Sequence, residues 1–320
     1  MQGKIAVEEH FTAPGLEELI SRIGWEPADW ARVESRLQDV EFRLAEMDRL
    51  GIERALLSLG AFGVQEIPER SRAIELASRA NEALAGIVAD HPARFGGFAA
   101  LPMQDPLAAA AELERCVTEY GFKGALVNGF SDVDGGGALY YDDARFDPLW
   151  ERLVALDVPF YLHPRNPHAS QRLIYEGRPE LLGPTWAFAV ETGTHALRLI
   201  TSGLFDRHPD LTLIIGHQGE FLPFALPRLA QRMSHLKHVR LEKSPTEYLR
   251  ENFYITTSGN SHTASLIGLL LEVGADRLLF AADYPFEEMA DGATWFDSVP
   301  ISEPDREKIG RMNAVRLFGL

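Results

Sequence analysis

Residues 211–220 read LTLIIGHQGE, and the run inside them decides the fold. Leu211, Leu213 and Ile215 lie on one face of an extended segment and Ile214 on the other. A strand apolar on both faces needs cover on both sides, as in a parallel sheet wrapped by helices. The same texture recurs at RLLFAA, residues 277–282, and each run ends in a polar residue, His217 in one and Asp283 in the other.

Eight β-type runs alternate with helical patterns along the chain: 4–10, 54–58, 95–101, 123–128, 158–163, 211–217, 253–258 and 277–283. Helical stripes fall between them, Ile74, Ala77, Leu84 and Ile87 in one segment and Leu113, Cys116, Val117 and Tyr120 in another. Eight βα units predict an α/β fold of the TIM type, a single (β/α)8 barrel. A doubly wound open sheet is the alternative. No linker, charge block or repeat divides the 320 residues, so one domain over 1–320 is expected. Two long loops, 11–31 with Trp25 and Trp30 and 164–184 with Arg165, Tyr175 and Arg178, follow strands and are expected over the C-terminal mouth.

Composition narrows the function. With 47 acidic against 31 basic residues, the formal charge of -16 opposes nucleic-acid binding. No apolar run approaches the ~18 residues of a membrane helix, and a cytoplasmic chain is expected. The lone Cys116 excludes an internal disulfide and an all-thiolate metal site; its place in an apolar stripe reads as packing.

Candidate chemistry gathers at strand ends: Glu8, Glu9 and His10, then Asn128, His163, His217, Ser258 and Asp283. Side chains alternate along a strand, so Glu8 and His10 share one face and Glu9 takes the other. Glu8, His10, His163 and Asp283 would supply two nitrogens and two oxygens to one divalent ion, Zn²⁺ or Mn²⁺, with no organic cofactor. The bland readings are a backbone-bonded His163, a turn-forming Asp283 and a metal-free Glu8–His10 pair. Glu220, three residues after His217, is expected to turn back to the imidazole on a helix starting near Gly219, giving a proton shuttle. Phe286, with Trp295 and Phe296, could wall an aromatic pocket. The run Asp134-Gly135-Gly136-Gly137 lacks a following Gly-Lys-Ser/Thr and reads as a mobile loop, not a phosphate cradle. The remaining histidines, His195 among them, read as surface or structural residues.

The segments GKIAVEEHF (3–11), CVTEYGFKGALVNGF (116–130), DVPFYLHPRNP (157–167), SGLFDRHPDLTLIIGHQGE (202–220) and GADRLLFAADYPFE (274–287) resemble the amidohydrolase superfamily. Within it they resemble the non-oxidative aromatic-acid decarboxylases, nearest the γ-resorcylate (2,6-dihydroxybenzoate) group. His10 in EEHF matches that group where the 2,3-dihydroxybenzoate enzymes carry EEAF. AADYPFE departs from the group's TDWPFE, and the lid 14–30 diverges. The resemblance implies a mononuclear divalent metal on Glu8, His10, His163 and Asp283, with His217 and Glu220 beside it. It implies Asn128 and Arg228 as substrate contacts and a homo-oligomer, tetramer or dimer. The expected reaction is decarboxylation of a small ortho-hydroxylated benzoate, with Asp283 as proton donor. A hydrolase on the same barrel, or a non-catalytic metal-binding protein, are the competing readings.

Overall fold

The computed structural model describes residues 1–22 and 25–320; Ile23 and Gly24, in the first long loop, lie outside the described residues. Its strands are β1 Lys4–Phe11, β2 Ile52–Leu59, β3 Phe95–Gly97, β4 Ala125–Asn128, β5 Ser131–Val133, β6 Gly137–Leu139, β7 Phe160–His163, β8 Leu213–Ile215, β9 Phe253–Thr256 and β10 Leu278–Leu279. β1, β2 and β3 pair in parallel, as do β4, β7, β8, β9 and β10. Parallel bridges at Ala99 and Ala125, and at Glu9 and Tyr284, join the two sheets. The second seam is laced by Val7 N–H to Phe280 O (3.1 Å), Asp283 N–H to Glu8 O (3.0 Å) and His10 N–H to Tyr284 O (2.7 Å). Eight strands thus close on themselves, the expected (β/α)8 barrel and not the open sheet.

Strand parity fills the interior in layers. Ile5, Val7, Leu56, Phe98, Leu126, Tyr161, Ile214, Tyr254, Leu279 and Ala281 form a buried cluster that Ala314 and Phe318 of the C-terminal helix Asn313–Phe318 pack against. The next inward positions toward the strands' C-terminal ends are polar: Ser58, Asn128, His163, Thr256, Ser258 and Asp283, all buried. On β1 the register against β2 shifts between Ala6 and Glu9, where three steps on β1 match two on β2. That bulge lets Ile5 and Val7 face the apolar layer and still turns Glu8 and His10 inward above it.

Helices cover the outside. Asp105 caps Pro106–Tyr120 by accepting from the N–H groups of Leu107 and Ala108, Pro106 supplies a preset first turn, and Gly121 at φ 69° ends it. Leu113 and Cys116 are buried on that helix, so the cysteine is a packing residue. On Arg70–Asp90 the buried line runs through Ala73, Leu76, Ala77, Ala80 and Leu84, leaving the anticipated Ile74 and Ile87 at its edge.

Three expectations are corrected. β8 and β10 stop short of the predicted ends, so His217 and Asp283 sit on loops just beyond their strands. Residues 134–136 are the turn of a β5–β6 hairpin, with Gly135 and Gly136 at φ 88° and 80°, and Gly137 already pairs with Val133, so the run is not a free loop. Trp30 lies buried in helix Pro27–Gln38, and the loop 164–184 carries three short 3-10 turns. Among the described residues no helix is long and apolar enough to cross a membrane.

Candidate active site

At the C-terminal mouth one donor atom from each of Glu8, His10, His163 and Asp283 lies within 4.8 Å of the others. His10 Nε2 is 3.2 Å from Asp283 Oδ1, and His163 Nε2 is 3.4 Å from Glu8 Oε1. Glu8 Oε1, His10 Nε2 and Asp283 Oδ1 are buried and lack any hydrogen-bond partner among the described residues. Orphaned buried polar atoms are costly, and three converging on one point fit a cation between them. Two imidazole nitrogens and two carboxylate oxygens suit Zn²⁺ or Mn²⁺.

The imidazoles are presented with the right nitrogen. His163 Nδ1 sits 2.7 Å from Asn128 Oδ1 and 3.1 Å from Pro164 O. A backbone carbonyl only accepts, so Nδ1 carries the proton and Nε2 keeps a lone pair for the centre. His10 Nδ1 is 3.1 Å from Ser58 Oγ, which leaves its Nε2 inward in the same way. Burial, above all, holds His10 below the ordinary histidine range, so it stays neutral, the form a ligand needs. Burial alone would raise the Glu8 carboxyl, but the imidazoles of His217, His163 and His10 outweigh it and hold the group well below the usual carboxylate range.

Glu9, turned away from the centre, accepts from Ala282 N–H at 2.9 Å and Tyr284 N–H at 3.2 Å. Its carboxylate therefore grips both neighbours of Asp283, whose backbone is left-handed at φ 69°. Arg43, buried, donates to His10 O and stacks 4.7 Å from the Tyr284 ring. Sequence parity placed Glu9 on the outer face but gave no signal of this grip.

His217 Nδ1 lies 2.6 Å from Glu220 Oε1, and its Nε2 is 3.7 Å from Glu8 Oε1 and 3.5 Å from Asp283 Oδ2. The expected contact is there, but its cause is different. His217, Gln218, Gly219, Glu220 and Phe221 all have positive φ, and the helix starts only at Leu222. A left-handed turn, not a first helical turn, folds Glu220 back; four non-glycine residues in that region mark stored strain. Burial opposes charge on His217, yet Glu220, Glu8 and Asp283 outweigh it and raise the imidazolium well above the ordinary histidine range. Asp283, which burial would raise, is held low by His10 and His217.

His163 and Asp283 of the cluster, with His217, open onto a cleft also lined by Ser21, Trp25, Ala61, Phe62, Pro184, Phe188, Phe286 and Glu287. Phe62 meets Phe188 edge to face at 5.6 Å, and Phe286 meets His10 at 5.2 Å with Trp25 tilted 6.4 Å beyond it. Trp25 of the first long loop stands at the cleft as expected, and of Phe286, Trp295 and Phe296, expected to wall an aromatic pocket, Phe286 alone lines it among the described residues. Phe296 packs on Phe280, and Trp295 donates to Thr263, because both lie on helix Met289–Ser298 behind the barrel wall. Asn128 stands behind His163, its Oδ1 engaged with that ring. Arg228 is exposed on helix Leu222–Met233 and is not among the cleft's lining residues.

The family described as Amidohydrolase matches residues 7–320. The chain is similar to the γ-resorcylate decarboxylase of Rhodococcus jostii (strain RHA1), 54% identical over 329 aligned positions that cover 100% of this chain and 99% of the relative. Among solved structures it is similar to a dihydroxybenzoic acid decarboxylase from Polaromonas sp. JS666 with bound manganese and the inhibitor 2-nitroresorcinol. That match has a TM-score of 0.96 and 53% identity and covers 100% of this chain and 98% of the other. A 2,6-dihydroxybenzoate decarboxylase complexed with 2,6-dihydroxybenzoate gives the same TM-score of 0.96, with 53% identity and 100% of both chains covered.

Proposed function

The chain belongs to the amidohydrolase family, and from that premise we propose that it is a metal-dependent carboxy-lyase converting 2,6-dihydroxybenzoate to resorcinol and CO₂. The observation that carries this reading is the convergence of Glu8, His10, His163 and Asp283 within 4.8 Å beneath an aromatic-walled cleft. The full-length identity to γ-resorcylate decarboxylases supports the choice of substrate. In this reading the whole chain works as one catalytic unit.

Direct loss of CO₂ from a benzoate leaves an electron pair in an in-plane sp² orbital, orthogonal to the ring's π system and so without delocalisation; the carboxyl-bearing carbon must therefore be protonated first. Glu8, His10, His163 and Asp283 would hold a divalent ion, which when bound would supply Lewis-acid stabilisation of the substrate's developing negative charge. Asp283 passes a proton to the ring carbon while the ortho oxygen's electrons enter the ring. The bond from that carbon to the carboxyl group then breaks, its electron pair restores aromaticity and CO₂ departs. His217 is the proton reservoir: its Nε2 faces Asp283 Oδ2 at 3.5 Å, and Glu220 holds it charged and oriented. Phe62, Phe188, Trp25 and Phe286 offer flat apolar walls to the ring and limit water at the reacting carbon.

Asn128 acts on substrate through His163, and Arg228 only through a second copy of the chain. The exposed Phe221 and Phe224 lie seven and four residues before Arg228, and the exposed Trp186 packs on Phe221 with rings 5.2 Å apart; together they give an apolar face for a dimer or tetramer.

Incubating the protein and Mn²⁺ with 2,6-dihydroxybenzoate and quantifying products tests the reading. Equimolar resorcinol and CO₂ are expected. An intact aryl acid, with turnover instead of an ester or amide, would assign the barrel to hydrolysis.

A further inference from the structure

Below the four converging donors lies a chain of hydroxyl groups that no step above uses. Tyr161, two residues before His163 on β7, donates to Glu8 Oε2. Thr256, at the end of β9, donates to the same oxygen at 3.0 Å. Ser258 Oγ is 2.8 Å from Thr256 Oγ1 and accepts from His217 N–H at 3.0 Å. All three side chains are buried.

With Tyr161 and Thr256 both donating to Glu8 Oε2, the remaining protons run from His217 N–H to Ser258 and from Ser258 to Thr256, while Tyr161 Oη and Thr256 Oγ1, 3.0 Å apart, meet with no proton between them. Every proton of the chain points toward Glu8 Oε2, whereas Oε1 has no hydrogen-bond partner among the described residues. The backbone makes room for the arrangement at Gly216. A Cβ there would come within 3.0 Å of Glu8 Oε2, 3.1 Å of Ser258 Oγ and 3.2 Å of Tyr161 Oη.

We propose that Tyr161 and Thr256 are positioning residues that occupy Glu8 Oε2 and so leave Oε1 alone to hold a divalent cation, fixing Glu8 as a single-oxygen ligand. The inference rests on the metal reading above. A carboxylate rotates about its last bond with little resistance. Without two donors on one oxygen, Glu8 is free to turn both oxygens on the ion and to lose its fixed aim. Ser258 ties the same oxygen to the backbone of His217, so the ligand and the proton-handling imidazole share one scaffold.

The test is Mn²⁺ titration of wild-type protein and of Tyr161→Phe, Thr256→Val and Thr256→Ser, followed by electron paramagnetic resonance of free and bound Mn²⁺. Tyr161→Phe and Thr256→Val are expected to weaken Mn²⁺ binding about 10-fold and to change the bound-ion spectrum. Thr256→Ser, which keeps the hydroxyl, is expected to match wild type in both. Thr256→Val is isosteric and carries the test alone if Tyr161→Phe does not fold. Wild-type affinity and spectrum in Tyr161→Phe and Thr256→Val overturn the inference and leave the metal reading standing. A wild-type protein that binds no Mn²⁺ overturns both.

Discussion

His217 Nδ1 lies 2.6 Å from Glu220 Oε1 across a turn that is left-handed at both residues, φ 52° and 51°. The pair is held by strained backbone, so its geometry does not depend on side-chain flexibility. Glu220→Gln keeps the hydrogen-bonding shape and removes the charge. It should lower kcat about 100-fold, the lower end of the range for general acid–base catalysis, and change KM less than about threefold. Steady-state resorcinol formation reads this; an unchanged kcat would remove Glu220 from proton handling.

Asn128 Oδ1 and Pro164 O together fix the His163 tautomer. Asn128→Ala removes one of these acceptors and should weaken Mn²⁺ binding about 10- to 100-fold, the usual cost of losing a group that orients a ligand. Equilibrium dialysis against Mn²⁺ measures it. Wild-type affinity would mean that Pro164 O suffices.

The cleft wall predicts a different signature. Phe188 contributes an edge-to-face contact with Phe62 and an apolar surface for the substrate ring. Truncation to Ala removes about 0.5–1.5 kcal/mol of such interaction, so KM for 2,6-dihydroxybenzoate should rise up to about 10-fold with kcat little altered. A selective fall in kcat would instead place Phe188 in the chemical step.

Stability should fall in mild acid through His195. Burial, reinforced by the Arg198 charge, holds this imidazole down at about 3, against 6.5 when exposed. The unfolded chain therefore takes up a proton near pH 6.5 that the folded one refuses. The stabilisation is complete above that pH and is lost as pH falls toward 3, by up to about 1.4 kcal/mol per pH unit. In His195→Gln, whose amide oxygen can accept the Tyr141 N–H that His195 Nε2 now accepts at 3.2 Å, the decline between pH 6.5 and 4 should be shallower. Urea unfolding at several pH values checks this, and parallel curves for variant and wild type would refute it.

Much of the barrel was legible because its physics is periodic. Double-faced apolar runs called for parallel strands, and alternation set Glu8 and His10 on one face. What parity could not show is the bulge between Ala6 and Glu9, which lets β1 serve an apolar layer and a polar one in succession. The reach of Glu220 to His217 was anticipated, yet its left-handed turn was not, since only Gly219 announces such a backbone. The cleft walls Phe62, Phe188 and Pro184 come from loops and a helix start, where no period constrains the side chain. Tyr161 and Thr256 were within reach: each lies on the inward parity of a strand ending in a polar residue.

In the proposed reaction Glu8, His10, His163 and Asp283 hold one divalent ion on which decarboxylation depends. The most direct test of this is metal content by plasma mass spectrometry beside resorcinol formation, for chelator-stripped protein reloaded stepwise with Mn²⁺. One ion per chain at saturation, activity proportional to occupancy, and near-zero values of both in His163→Ala are predicted. Full turnover by metal-free wild-type protein would contradict the account.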